Sequence, residues 1–240
     1  MAVMATMLRG SDRESPFLRN DIESDARDSL AQVPLFKGLS ADELEELLGS
    51  SSSHRIPKQQ VVFCEGEKLT HLYIPQTGSF KLIRHSEEGK ELIVALVRSG
   101  ECFGALAEPM ESRTLAQAVE ESVLLVVPLT AVRRNLRRNP HFAIRLLKHA
   151  QNRHENAETT ATRLAFETVP QRLAHLLVEV SSPSSGELEA PLNQTEIANL
   201  IGSSRETVCS ILNQFRRQGL LEINRGRLRI VERARLNGIK

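Results

Sequence analysis

Arg205, Glu206, Cys209, Ser210 and Asn213 recur every three or four residues between Ser203 and Arg217, and so share one face of a helix. Val208, Ile211, Leu212 and Phe215 follow the complementary rhythm and form the buried side. A guanidinium can donate two parallel hydrogen bonds to guanine O6 and N7. A carboxylate beside it can accept from a cytosine amine. Short polar side chains flanking such a pair let a helix approach base edges closely. The expected chemistry is therefore sequence reading in a DNA major groove.

The surrounding residues supply what that face needs. Ile197 and Ile201 precede it on a first helix, Ala198 has the small side chain required where two helices cross closely, and Gly202 suits the turn between them. Ser204 and Thr207 are expected at phosphates rather than bases. Downstream, Leu221-Glu222-Ile223 and Leu228-Arg229-Ile230 alternate as half-buried strands around Asn224-Arg225-Gly226-Arg227. This predicts a hairpin wing with Arg225 and Arg227 at the backbone of a duplex. From Ser203 onward nine Lys and Arg face three acids, a net +6, whereas the whole chain carries only +1. A helical hairpin with a glycine turn shares the apolar spacing but has no use for this basic footprint.

At 240 residues, 40% hydrophobic and 25% charged, the chain can build two modest cores. It carries no apolar run of membrane-spanning length and no signal-peptide pattern, so no membrane role is expected. Cys64, Cys102 and Cys209 are too far apart for a Cys-x-x-Cys pair or a disulfide framework, which predicts a reducing cytoplasm. Residues 1–28 read as a mobile tail. Ser40 and Glu43 form a capping box before Leu44, Leu47 and Leu48. From His54 to Pro128, short β-prone runs are punctuated by Gly66, Gly78, Gly89, Gly100 and Gly104, the pattern of an antiparallel barrel or roll. Between Pro140 and Glu167, the positions Ala143, Leu146, Ala150, Arg153, Ala157, Thr160 and Leu164 recur with the spacing of a coiled-coil seam. Pro170 marks a new helix start, and Leu173, Leu176, Leu177 and Val180 continue it.

An enzymatic reading finds no support. The roll has no His-x-His metal pattern, and the chain has no nucleophile elbow, P-loop or dinucleotide fingerprint.

Together, Val33-Pro34-Leu35-Phe36-Lys37-Gly38-Leu39, the roll glycines, Leu164-Ala165-Phe166-Glu167, and the block from Glu196-Ile197-Ala198 to Gly219-Leu220-Leu221 resemble the Crp/Fnr family of bacterial transcription regulators. The resemblance implies an α+β chain. A cyclic-nucleotide-binding-like β-roll (29–138) precedes a dimerisation helix and hinge (139–168) and a winged helix-turn-helix (169–240). It implies a homodimer on a near-palindromic operator, with double-stranded DNA, a second copy and RNA polymerase as partners. Arg205 and Glu206 match the family's base readers, and Ser210 stands where many members carry a further Arg.

The effector is left unidentified. The family's ribose-binding Gly-Glu-Leu reads Gly104-Ala105-Leu106, the phosphate position falls on Ser112, and the adenine contacts fall on Ala157-Glu158. Arg113 and Thr114 remain as shifted pocket residues. This pattern argues against cyclic AMP. Three cysteines, one of them on the reading helix, argue against an iron–sulfur cluster. Seven histidines (His54, His71, His85, His141, His149, His154 and His175) and Cys102-Phe103 leave a heme open. The expected control is a small molecule or redox signal acting through the roll. The alternative is an effector-independent regulator governed by abundance or by oxidation of Cys209.

Overall fold

A computed structural model of the chain describes residues 33–188, 190–224 and 227–239. The expected tail, 1–28, and the wing-tip residues Arg225 and Gly226 lie outside the described residues. The chain divides into two units. The first runs to Arg84 and resumes at Leu96–Arg153. The second joins His85–Ala95 to His154–Lys240.

The first unit opens with α1 (Ala41–Gly49), capped as its sequence demands. Ser40 Oγ accepts from the Glu43 amide, and the Glu43 carboxylate accepts from the Ser40 amide at 2.7 Å. Leu44 and Leu47 are buried, while Leu48 is only half-buried. The strands that follow are β1 (Ser52–Ile56), β2 (Val61–Phe63), β3 (Lys68–Leu69), β4 (His71–Thr77), β5 (Ser79–His85), β6 (Glu91–Arg98), β7 (Phe103–Gly104), β8 (Met110–Glu111), β9 (Leu115–Ala118) and β10 (Ser122–Pro128). Eight of them form two four-stranded sheets, ordered β1-β10-β4-β7 and β2-β9-β5-β6, with the Glu91–Ala95 part of β6 counted in the second unit, and β3 pairs with β8 in a two-stranded sheet. The pairings are antiparallel, for example Ser52↔Val126 and Phe80↔Ala118. All five glycines singled out in the sequence have positive φ. Gly78 and Gly104 are the most confined of them, since a Cβ would run into Ser122 Oγ at the first and lie 2.5 Å from the Tyr73 ring at the second. Phe63, Tyr73, Phe80 and Phe103 pack in one aromatic cluster, Phe103 lying 5.3 Å from Tyr73 and 5.5 Å from Phe80 by ring centroid.

Two helices close this unit. The first, α2 (Leu129–Arg138), was not anticipated by the sequence reading, although it buries Leu129 and Val132 on one face at helical spacing. Asn139 ends it and starts α3 (Pro140–Phe166), accepting from the Phe142 amide at 3.1 Å and donating to Glu43 at 3.1 Å. Phe142 stacks on Phe36 at 5.6 Å. One turn later Leu146 is also buried, at 9% exposure. Residues of α3 up to Arg153 belong to the first unit and those from His154 to the second.

In the second unit, Thr168 and Gln171 form a capping box that starts α4 (Val169–Glu179), with Pro170 in its first turn, as the sequence predicts. Then come α5 (Gln194–Ile201), α6 (Arg205–Arg217), β11 (Leu221–Asn224), β12 (Arg227–Ile230) and α7 (Arg233–Asn237). Leu173 and Leu177 of α4 share one core with Ile197, Ile201, Val208 and Phe215. No helix among the described residues is long and apolar enough to cross a membrane.

Within the first unit His149 Nε2 lies 3.3 Å from Cys102 Sγ. Burial pushes the Cys102 thiol up to about 12, and burial followed by Arg153 lowers His149. Burial also lowers His71. These histidines take up protons on unfolding, so stability falls as pH drops below their ordinary 6.5. The Cys102 and Cys64 thiols stay protonated in the fold and lose protons on unfolding, so stability also falls as pH rises past their ordinary 9.0. Urea melts followed by the fluorescence of Tyr73, the sole tyrosine in a chain without tryptophan, should show a plateau between 6.5 and 9.0 with losses on both sides. His149→Gln should shrink the acid-side loss, and an unchanged acid limb would contradict this account.

Candidate nucleic-acid interface

The reading helix is built from its cap upward. Gly202 ends α5 in the left-handed region, at φ +60°, where L side chains are strained. A Cβ there would also approach Leu164 Cδ2 at 3.0 Å. Two residues on, Ser204 caps α6. Its Oγ accepts from the Thr207 amide at 3.2 Å and bonds the Thr207 hydroxyl at 3.0 Å. These two hydroxyls, expected at phosphates, are therefore first of all partners of each other. A capping serine was legible in the sequence and was missed.

Behind the face, Val208, Ile211, Leu212 and Phe215 are all buried, and Ala198 on α5 is 1% exposed at the close crossing. In front, Arg205, Glu206, Thr207 and Ser210 are exposed. Glu206 is held below the usual carboxylate range by its own backbone amide, then by Ser204. An amide donating to this carboxylate at the start of the helix keeps it ionised and ready to accept. Cys209 and Asn213 are half-buried, and the Asn213 amide donates to Cys209 Sγ at 3.6 Å. The sequence placed both on the face but did not show that one engages the other.

The wing forms as expected, with Leu221↔Ile230 and Asn224↔Arg227 in register. Its strands are longer than the sequence suggested, since Asn224 and Arg227 are paired rather than looped. Arg227 is exposed. Not every cation in the basic segment is available to a polyanion. Arg233 donates to the Val178 and Ser181 carbonyls and to Ser181 Oγ, closing the C-terminal end of α4. Arg229 lies 3.6 Å from Glu222.

The residues singled out as an effector pocket fall in two places. Gly104 ends β7, and the buried Ala105 donates its amide to the His71 carbonyl at 3.1 Å. Leu106 is half-buried. Between β8 and β9 the Ser112 hydroxyl is buried and spent on its own turn, donating to the Thr114 carbonyl at 2.7 Å and accepting from the Thr114 amide. Arg113 is exposed. Further along, Glu158 lies 3.3 Å from His154.

The seam expected on α3 needs correction at one residue. Ala143, Ala150, Arg153, Ala157 and Leu164 are exposed and Thr160 is half-buried, its hydroxyl bonded to the Asn156 carbonyl. Leu146 does not belong with them, because it turns inward with Phe142 and completes the core of its own unit. Besides Leu164, the large apolar side chains of α3 that face out are Ile144, Leu147 and Phe166, at 63%, 70% and 85% exposure. A heptad count from the sequence could not tell which of two adjacent stripes the unit would claim for itself.

Comparison with known proteins sets this geometry in a wider frame. Residues 53–139 match the cyclic nucleotide-binding domain, and residues 171–239 match the Crp-like helix-turn-helix domain. The cyclic AMP receptor protein of Thermus thermophilus is 30% identical over 86% of this chain and 96% of its own length. A CRP-like cAMP-activated global transcriptional regulator of Mycobacterium tuberculosis is 27% identical over 81% of this chain and 90% of its own. Among solved structures, FixK2 from Bradyrhizobium japonicum shares the fold with a TM-score of 0.72 and 22% identity, covering 78% of this chain and 95% of that one.

The cap at Ser204 has a measurable consequence. Ser204→Ala should cost about 1 kcal/mol of stability in the second unit, while Ser204→Gly should cost only a few tenths of that scale. Thermal melting followed by helical circular dichroism checks this, and equal costs for the two variants would remove the cap from the account.

Proposed function

Because the chain belongs to the Crp/Fnr family of transcription regulators, we propose that it acts as a homodimer on a near-palindromic operator, reading each half-site with Arg205 and Glu206. At the coarser level it is a DNA-binding transcription regulator whose sensor domain is of the cyclic nucleotide-binding class. In this reading the sensor spans 29–138, the dimerisation helix and hinge 139–168, and the DNA-binding domain 169–240. RNA polymerase is the further partner on which such a regulator works.

The observation that carries the proposal is the division of α6. Its four large apolar side chains are all buried, which leaves Arg205, Glu206 and Ser210 exposed together. Arg205 donates to guanine and Glu206 accepts from cytosine. Ser210, Cys209 and Asn213 keep the approach short enough for both. Ser204, Thr207, Arg225 and Arg227 serve the phosphates, the first two through whatever hydrogen-bonding capacity capping leaves. A second copy apposed through the outward stripe of α3 would place two reading helices about 34 Å apart, one turn of duplex.

The signal is a small molecule other than cyclic AMP, or a redox change, received by the roll. Three features support this. Ala105 presents no hydrogen-bonding side chain, the Ser112 hydroxyl is already spent within its turn, and the position expected to contact adenine holds Glu158, a carboxylate 3.3 Å from His154. Titration of the purified protein with cyclic AMP should give no saturable heat. Saturable micromolar binding would reverse the reading of these positions.

The DNA side is tested on a duplex selected from a random pool. Arg205→Ala should reduce discrimination at one base pair per half-site by roughly 1–3 kcal/mol. Arg227→Ala should weaken all sequences alike and flatten the salt dependence by about one unit of slope. If Arg205→Ala selected the same sites with the same preference as the parent, Arg205 would not be a base reader.

A further inference from the structure

The richest unassigned chemistry in the molecule lies in the first unit, on α2. No Asp or Glu occurs from Ser122 to His154, a stretch holding six Arg and one Lys. Four of those arginines, Arg133, Arg134, Arg137 and Arg138, project from the ten residues of α2 and, with Thr130, line a cavity of about 430 Å³ among the described residues. Their spacing explains the concentration. Thr130, Arg134 and Arg138 follow i, i+4, i+8, and Thr130, Arg133 and Arg137 follow i, i+3, i+7, so two ladders of cations climb adjacent ridges of one helix. The opposite side of α2 is buried through Leu129 and Val132, which fixes which way the ladders face.

Part of this array already grips an anion. Arg134 Nη1 lies 2.5 Å from one oxygen of the Glu46 carboxylate, and Arg138 Nη1 lies 3.0 Å from the other. Two guanidiniums one turn apart thus clamp a single carboxylate, one per oxygen. Arg133 is steadied by the Ala107 carbonyl at 2.7 Å and by Glu108. These bonds use only part of each guanidinium's fork of donors. Neither Glu46 nor Glu108 lines the cavity, so its described wall offers cationic donors and one hydroxyl without an acid. Arg137 is exposed and bonded to no described residue.

We propose that this wall is a binding site for a phosphate chain of two or more phosphoryl groups, separate from the roll's nucleotide-type pocket and from the DNA face. A single phosphate would satisfy one pair of guanidiniums. A chain spans successive rungs, from Thr130 at one end to Arg137 and Arg138 at the other. Planar guanidinium forks match phosphoryl oxygens bidentately, whereas an exposed pair of a guanidinium with a carboxylate contributes little in water. The Glu46 clamp then competes with the ligand for Arg134 and Arg138, so Glu46 sets the affinity.

The test is calorimetric titration of the full-length protein with inorganic tripolyphosphate at low salt, with orthophosphate and a nucleoside triphosphate in parallel. Saturable binding of tripolyphosphate, tighter than orthophosphate, is expected. Arg137→Gln should weaken it about tenfold, the loss of one charge-assisted contact. Glu46→Gln should tighten it severalfold, a gain that misfolding cannot mimic. Arg227→Ala, on the wing, should change nothing. A nucleoside triphosphate that binds as tripolyphosphate does means the chain alone is read, and one that binds more tightly means the base adds contacts; both keep the site. Absence of saturable binding at millimolar tripolyphosphate overturns the proposal, as does indifference to both Arg137→Gln and Glu46→Gln. Loss of binding in Arg227→Ala would assign the anion to the DNA face instead. A weakening of operator affinity in Arg137→Gln with no tripolyphosphate effect would make the ladder a DNA-flank contact and overturn it equally.

Discussion

One guanidinium holds the reading unit in register. Arg172 donates through Nε to the Ile201 carbonyl at 2.9 Å and through Nη1 to the Glu167 carbonyl at 2.8 Å. Both acceptors lie at helix C-termini, where backbone carbonyls have no partner within their own helix. A cation at each of these ends is also favoured by the helix dipole. One side chain therefore completes α3 and α5 together and ties both to α4, on which it sits. His175 against Glu167 at 3.0 Å and Arg163 against Glu179 at 2.8 Å brace the same junction. The direction of α6 depends on this junction, since α6 follows α5 after the single left-handed residue Gly202 and its short cap.

Around that junction the second unit separates support from recognition with little overlap. The apolar residues of α4, α5, α6 and the wing pool into one core, and the polar residues of α6 are left outside. The caps obey the same economy. Asn193 Oδ1 accepts from two amides while its own amide donates to the Glu196 carboxylate, and Ser204 accepts from Thr207, so the exposed amides at the starts of both helices find local partners. The first unit follows a comparable logic, with glycine turns at positive φ bounding antiparallel strands and an aromatic cluster inside them.

Local chemistry was the legible part of the sequence. Ser40 with Glu43, Pro170 at a helix start, Ala198 before Gly202, and the strand runs around the roll glycines each state their conformation within a few residues. What was missed depended on partners remote in the chain. The face of α3 that carries Leu146 is claimed by a unit whose Phe36 lies over a hundred residues upstream, so periodicity alone could not keep that one position out of the seam. β9 (Leu115–Ala118) is short and reads as a strand only once β5 and β2 flank it. Cys102 and His149 are adjacent in space and unrelated by motif. Nothing beside Arg172 or Arg233 in the chain marks either as a helix terminator, yet both close helix C-terminal ends. α2 is a different case, because Leu129, Val132 and Leu136 offered a helical pattern that the density of arginines obscured.

The partition of α6 also bears on how such a chain changes over generations. Ser210 is exposed, and its neighbours Val208 and Ile211 carry the packing. A substitution at 210 alters what the helix presents without opening a cavity or stranding a buried polar group, the two commonest routes to a large loss of stability. Preference for a site and integrity of the fold can therefore drift on separate residues of one helix. A duplicated copy would be free to acquire a new set of sites in single steps, each of them folded.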